Sequence, residues 1–180
     1  ECSTCHASVP ATVNGGPHGM HPVGQTWVSQ HPDRVEQGGS SACRDCHGAD
    51  YRGTVLSRAQ ADRTLNTEFG SFTVWRGFQI GCYACHQGPS DEDRNPNHPP
   101  LVVDTSVTAI AGSPTPISLS ASDVDGDPLT LRIVSQPVHG TVGLIGTVAT
   151  FFPDAGYDGS DAFSFAAWDG SIDSNLGRVA

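Results

Sequence analysis

The stretch Cys43-Arg44-Asp45-Cys46-His47 decides the organisation of the first half of this chain. The same Cys-x-x-Cys-His spacing occurs at Cys2-Ser3-Thr4-Cys5-His6 and at Cys82-Tyr83-Ala84-Cys85-His86, and the three copies contain all six cysteines of the 180 residues. Two thiols at this spacing can add to the two vinyl groups of one porphyrin, and the adjacent histidine then reaches the iron. The three motifs therefore predict three covalently attached haem c groups.

Zinc and disulfide sites are the alternatives for Cys-x-x-Cys pairs. Zinc sites combine two such pairs for each metal ion, so three copies leave one pair over. Disulfides suit an exported chain, yet a bridge within each motif does not explain the three histidines. A thioredoxin-like site requires one motif beside a βαβ pattern, which this sequence lacks. Haem attachment accounts for the cysteines and the histidines together.

Three haem irons bound by the motif histidines need three further axial ligands. We expect these distal ligands to be His18, His21 and His31, which lie between the first two motifs. His98 is a further candidate, although its segment has the composition of a linker. Met20 is the alternative that would raise the potential of one haem. The expected proximal ligands are the motif histidines His6, His47 and His86.

The number of histidines also bears on catalysis. A haem enzyme keeps one iron position open for its substrate, whereas this chain has enough histidines to close all three. The sequence therefore predicts an electron carrier rather than an enzyme. The alternative is a multihaem oxidoreductase with one open haem site.

Residues 1 to about 95 resemble multihaem c cytochromes of metal-reducing and related bacteria. The resemblance rests on the three motifs, on residues 21–28 with His31, and on residues 46–54. It implies bis-histidine haems packed closely enough for electron transfer to redox partner proteins or extracellular electron acceptors. Some cytochromes of this kind polymerise, so self-association into filaments is a further expectation.

Composition narrows the partners and the location. The formal net charge is −10 and the chain contains no lysine, which excludes a basic surface for nucleic acid. No apolar run approaches the roughly 18 residues that would span a bilayer. Glu1 opens the chain directly on a motif and Ala180 ends it within a strand-like pattern. We therefore expect a processed or trimmed product of a secreted bacterial protein that acts in the extracellular or periplasmic space.

The first half has few large apolar residues, so we expect porphyrin to form most of its core. Short helices are predicted at the motifs and around residues 57–66, separated by glycine-rich loops. Without haem this segment should be unfolded, by the reasoning that makes metal binding part of the folding free energy.

The second half has the alternating pattern of β-strands. From Pro99 the composition shifts to Val, Thr, Ser, Gly and Asp, with Asp-Gly turns such as Asp125-Gly126 between about seven short apolar runs. This pattern predicts an immunoglobulin-like or cadherin-like sandwich. The alternating positions are Ile117, Leu119 and Ala121; Leu129, Leu131 and Ile133; and Phe163, Phe165 and Ala167.

Residues 121–129 and 136–142 resemble bacterial cadherin-like tandem-repeat domains. Asp123, Asp125 and Asp127 offer the carboxylate oxygens that calcium prefers, although aspartates in this pattern also make turns. The sequence thus predicts two domains: a mainly irregular and α-helical, haem-packed domain at residues 1–98 and an all-β sandwich at residues 99–180. A third functional alternative assigns adhesion or recognition to the sandwich.

Overall fold

A computed structural model of the chain describes residues 23–90 and 95–180. The chain divides into two units between Asn95 and Pro96. The sequence-based boundary after residue 98 falls slightly later, because Asn97 and His98 are bonded to the second unit. The Asn97 side-chain amide donates to a carboxylate oxygen of Asp169 at 2.8 Å. The His98 backbone N–H donates to a carboxylate oxygen of Asp125 at 2.7 Å.

The first helix, α1, spans Gln25–Gly38. Trp27, His31 and Val35 follow one another at four-residue spacing and share a half-buried stripe, while most other positions of the helix are exposed. None of its residues is fully buried. The described polypeptide therefore covers α1 only in part.

Short helices occur at both described motifs, as the sequence predicted. The second motif begins in the 3-10 turn Ser41–Cys43 and continues in α2, Arg44–His47, whereas the third contains the 3-10 turn Cys82–Ala84. The first motif lies outside the described residues, as do His18, Met20 and His21.

The helix predicted around residues 57–66 is wrong. This region contains a 3-10 turn at Val55–Ser57 and then the hairpin of β1, Arg63–Thr67, and β2, Gly70–Val74. Half-buried and exposed residues alternate along β1, which is the period of a strand. Threonine is also more favourable in strands than in helices, because its branched side chain is restricted in a helix.

The first unit has a small apolar core in its described part. Val74, Trp75 and Phe78 are buried, and the rings of Trp75 and Phe78 meet edge to face with centroids 5.6 Å apart. Val55 and Leu56 are mostly exposed. Backbone hydrogen bonds, rather than a large apolar cluster, therefore connect much of this unit.

The second unit is a β-sandwich of antiparallel strands. Its strands are β3 Leu101–Val102, β4 Thr115–Ser118, β5 Ala121–Ser122, β6 Thr130–Ser135, β7 Gly140–Ile145, β8 Val148–Pro153, β9 Phe163–Trp168 and β10 Gly177–Val179. One sheet has the order β10-β9-β6, the other has the order β4-β8-β7, and β3 pairs with β5.

The sandwich core follows the predicted alternation. Ile117 and Leu119 from one layer are buried with Phe163, Phe165 and Ala167 from the other. At about 25 cal/mol per Å² of apolar surface, each of the larger side chains contributes roughly 2 kcal/mol to folding. The second unit therefore has the two-layer core that the sequence predicts.

Candidate haem-binding site

The loop that follows the second motif is hydrogen-bonded to the start of the third motif. The Cys82 N–H donates to the Tyr51 carbonyl at 2.9 Å, and the Gly53 N–H donates to the His47 carbonyl at 2.8 Å. The loop that follows the second motif therefore lies directly against the segment that begins the third. The two motifs form one framework although they are separated by many residues of sequence.

Two glycines make this close approach possible. A Cβ at Gly81 would lie 2.6 Å from the Arg52 carbonyl carbon and 2.7 Å from the Tyr51 carbonyl oxygen. A Cβ at Gly53 would lie 2.8 Å from the Ile80 carbonyl oxygen, and the φ of this glycine is +93°. Any larger residue at either position would force the two backbone segments apart.

His47, the histidine of the second motif, is oriented by this framework. Its Nδ1 lies 2.9 Å from the Ile80 carbonyl oxygen, which can accept only from a protonated nitrogen. This bond places the ring proton on Nδ1 and leaves the lone pair on Nε2, the nitrogen that binds iron in such sites. The Thr54 hydroxyl donates to the Cys46 carbonyl at 2.5 Å and fixes the same turn.

The four described cysteines form no disulfide with one another and lie in partly buried positions. Burial raises the pKa of Cys82 to about 11, with a smaller contribution from nearby Cys43, and burial also raises the pKa of Cys85. Reactive cysteines of redox motifs have lowered pKa values because their thiolate is the nucleophile. Cys82 and Cys85 therefore lack the electrostatic environment of a thioredoxin-like pair.

The described cysteines are also not arranged as a zinc site. Within residues 23–90 and 95–180, the only three or more Cys, His, Asp or Glu side chains near enough to share a metal ion are three aspartates of the second unit. The zinc alternative needs four ligands gathered around one ion. The four described cysteines therefore do not form such a group.

His31 lies beside His86, the histidine of the third motif. Their ring centroids are 6.2 Å apart and the ring planes differ by 16°. His31 Nδ1 lies 3.1 Å from the Val28 carbonyl oxygen. The structure therefore brings together one predicted distal histidine and one motif histidine.

Arg58 is a candidate that the sequence reasoning did not single out. Its Nε is buried and has no hydrogen-bond partner among the described residues. Arg58 is paired across a β-bridge with Gln79, three residues before Cys82. A buried guanidinium nitrogen needs an acceptor, and the only sequence signal for it was the general affinity of arginine for haem propionates.

Asp123, Asp125 and Asp127 lie together in the second unit, with carboxylate oxygens within 4.8 Å of one another. Asp123 Oδ1 accepts the backbone N–H groups of Asp125 at 2.8 Å and Asp127 at 3.2 Å, which is the hydrogen bonding of a turn. Asp123 Oδ2 is buried without a partner. The hydrogen bonding of the predicted turn is therefore present, and calcium binding stays a prediction.

His98 lies at this aspartate cluster in the second unit. The His98 backbone N–H and Nδ1 both bond to the Asp125 carboxylate, and these bonds, the backbone one foremost, lower the Asp125 pKa below its usual 3.8. His139, within the segment 136–142, stacks on Tyr157 with ring centroids 4.0 Å apart. Both histidines thus have partners in the sandwich.

No helix within residues 23–90 and 95–180 is long and apolar enough to cross a bilayer.

A search of curated proteins found no match to this chain. Residues 97–180 match the family model described as Bacterial Ig domain. Domains of this kind are typically extracellular or exposed at the cell surface. The second unit is therefore a bacterial Ig-like domain.

Proposed function

We propose that this chain is an extracellular or periplasmic electron carrier with haem c attached at its three Cys-x-x-Cys-His motifs. The observation that carries the proposal is the hydrogen-bonded framework between the second and third motifs. When bound, bis-histidine haem supplies a one-electron couple without an open position for substrate. The contribution of the polypeptide is to keep two attachment sites at a fixed, short separation.

The residues around the motifs fit haem. His47 carries its ring proton on Nδ1, as expected of a histidine that binds iron through Nε2. The buried Arg58 Nε lacks the acceptor that a propionate oxygen would provide. The small apolar core of the described first unit is consistent with porphyrin as additional apolar filling.

Charge restricts the redox partner. The chain has nineteen acidic residues against nine arginines and no lysine. An acidic carrier attracts basic docking surfaces and repels acidic ones, whereas a neutral surface is neither attracted nor repelled. We therefore propose redox partner proteins or extracellular electron acceptors with cationic or neutral contact surfaces, and the Ig-like domain as spacer or docking module. Self-association into a filament remains part of this proposal.

The test is analysis of the full chain matured in a bacterial host that attaches haem c. We expect an intact mass that includes three haems and a low-spin spectrum that reduces and reoxidises reversibly. Cys43→Ala combined with Cys46→Ala should remove one of the three haems and the same share of the Soret absorbance. A bare polypeptide mass for the wild type, or a spectrum without a Soret band, would overturn the proposal.

The enzyme alternative is separated by ligand binding. An open haem site would contribute high-spin iron and would bind cyanide or nitrite in the wild type. We expect neither at concentrations that do not displace an axial histidine. A saturable high-spin fraction in the wild type would favour the oxidoreductase.

A further inference from the structure

We propose that His31 and His86 are the two axial ligands of one iron, and that Pro32 positions His31 for this role. The inference rests on the proposed function, because it assigns a distal ligand to the haem of the third motif. It is based on the distance between the His31 and His86 rings and on the hydrogen bond between His31 and the Val28 carbonyl. The sequence alone reveals neither.

The distance between the rings matches axial ligation. Metal–imidazole nitrogen bonds are about 2 Å, and the centre of an imidazole ring lies roughly 1.1 Å behind its bonding nitrogen. Two imidazoles on opposite sides of one iron therefore have centroids about 6 Å apart, compared with 6.2 Å for His31 and His86. Face-to-face contact is closer, as in the 4.0 Å stack of His139 on Tyr157.

The backbone of α1 provides an acceptor for His31. In an α-helix the N–H of residue 32 would donate to the carbonyl of Val28, four residues earlier. Residue 32 is proline, which has no N–H. The Val28 carbonyl oxygen instead lies 3.1 Å from His31 Nδ1. Pro32 thus removes a competitor for the carbonyl that His31 uses.

This bond determines which nitrogen faces the iron. A proton on Nδ1 leaves the lone pair on Nε2, and donation to a carbonyl makes the imidazole a stronger ligand. His47 shows the same arrangement with the Ile80 carbonyl. One predicted distal ligand and one predicted proximal ligand are therefore oriented by the same kind of hydrogen bond.

The first test replaces His31 by glycine in the full holoprotein. We expect His31→Gly to keep three haems by mass, to convert one of the three irons to high spin, and to regain low spin with added imidazole. The matched control is Gln30→Gly, at the neighbouring exposed position of the same helix, which should leave all iron low-spin. Low-spin iron throughout in His31→Gly would overturn the inference.

A second set of variants, which lacks the third haem, identifies the haem iron that His31 binds. Cys82→Ala with Cys85→Ala removes the third haem, so adding His31→Gly there should produce no high-spin iron. High-spin iron that persists in this background would assign His31 to another haem and overturn the pairing. A wild type without haem would instead overturn the proposed function, and the pairing with it.

Two further variants test the assignment in case His31→Gly does not fold. His31→Met should keep six-coordinate iron, add a methionine–iron charge-transfer band and raise the potential of one haem. Pro32→Ala restores an N–H that competes for the Val28 carbonyl, so one potential should rise while helix content stays equal or increases. Unchanged potentials in both variants would contradict the assignment.

The near-parallel ring planes give an independent readout. Axial imidazoles that are close to parallel produce a rhombic low-spin electron paramagnetic resonance signal, whereas perpendicular ones produce a highly anisotropic signal. We expect a rhombic component in the wild type that His31→Gly removes and Gln30→Gly retains. A spectrum in which His31→Gly leaves every rhombic component intact would contradict the pairing.

Discussion

Gly81→Ala is the sharpest test of the framework between the second and third motifs. The added methyl group would lie 2.6 Å from the Arg52 carbonyl carbon, about 0.8 Å closer than the 3.4 Å at which ordinary contact begins. The obstacle is backbone rather than a flexible side chain, so the two segments must separate. Two hydrogen bonds cross this gap, from Cys82 N–H to Tyr51 and from His47 to Ile80.

The cost follows from these bonds. A donor–acceptor distance of 2.9 Å that lengthens by about 0.8 Å is no longer a hydrogen bond. Each lost bond costs about 1 kcal/mol net, and overpacking adds roughly 1–3 kcal/mol. We expect Gly81→Ala to lower the free energy of unfolding by about 3–5 kcal/mol and to shift the potential of at least one haem.

The measurement is urea unfolding of the holoprotein followed in the Soret band, combined with a redox titration. Gly38→Ala is the matched control, because a Cβ at this end of α1 meets no atom within 4 Å. In that helix the change should be neutral or stabilising by up to about 1 kcal/mol. A Gly81→Ala variant with wild-type stability and wild-type potentials would refute the proposed framework.

Three further predictions concern charged groups. Arg58→Gln should lower the reduction potential of one haem by tens of millivolts, because a buried cation near a propionate favours the reduced iron. The control Arg34→Gln, on the exposed face of α1, should leave all potentials unchanged. Asp123→Asn should be tolerated and Asp123→Ala should cost about 1–2 kcal/mol, because asparagine keeps an oxygen for the turn. If the wild-type melting temperature is the same in EDTA and in calcium, the carboxylates of the aspartate cluster serve the turn alone. A calcium-dependent rise in melting temperature that Asp123→Asn removes would instead assign an ion to them. The lowered Asp125 pKa contributes stability that is present above the usual value of 3.8 and is lost as pH falls through the folded-state pKa. In an acid titration of stability, Asp125→Asn should abolish this loss, whereas His98→Ala should reduce it only in part, because the backbone N–H of residue 98, the larger cause of the shift, still donates to Asp125.

The sandwich was predictable because its signal is local. Ile117 and Leu119, and likewise Phe163 and Phe165, are two residues apart and buried together, as the two-residue period of a strand requires. Asp-Gly turns separate these runs in the sequence. Local pattern and tertiary packing agree in this half, and the family match extends over it.

The first unit was less predictable because its organisation is non-local. The hairpin at residues 63–74 has the alternation of a strand, but polar threonines and an asparagine weaken the apolar signal. Helix α1 contains Pro32, which sequence reasoning treats as a helix breaker. His31 and His86 lie 55 positions apart, and no periodicity connects residues at such a separation.

The two units therefore differ in what stabilises them. Phe165 and Ala149 are fully buried in a two-layer apolar core, which gives the Ig-like domain a driving force that depends only on its own side chains. In the described part of the first unit, hydrogen bonds around Gly53 and Gly81 hold the second and third motif segments together. Each such bond contributes only about 1 kcal/mol net to stability. Since ordering each backbone residue costs about 1–2 kcal/mol, the described part of this unit needs further apolar contacts to fold, and the porphyrin that we propose would provide them. The same groups that would carry electrons would then also determine whether the proposed carrier folds, which would link haem attachment directly to its structure.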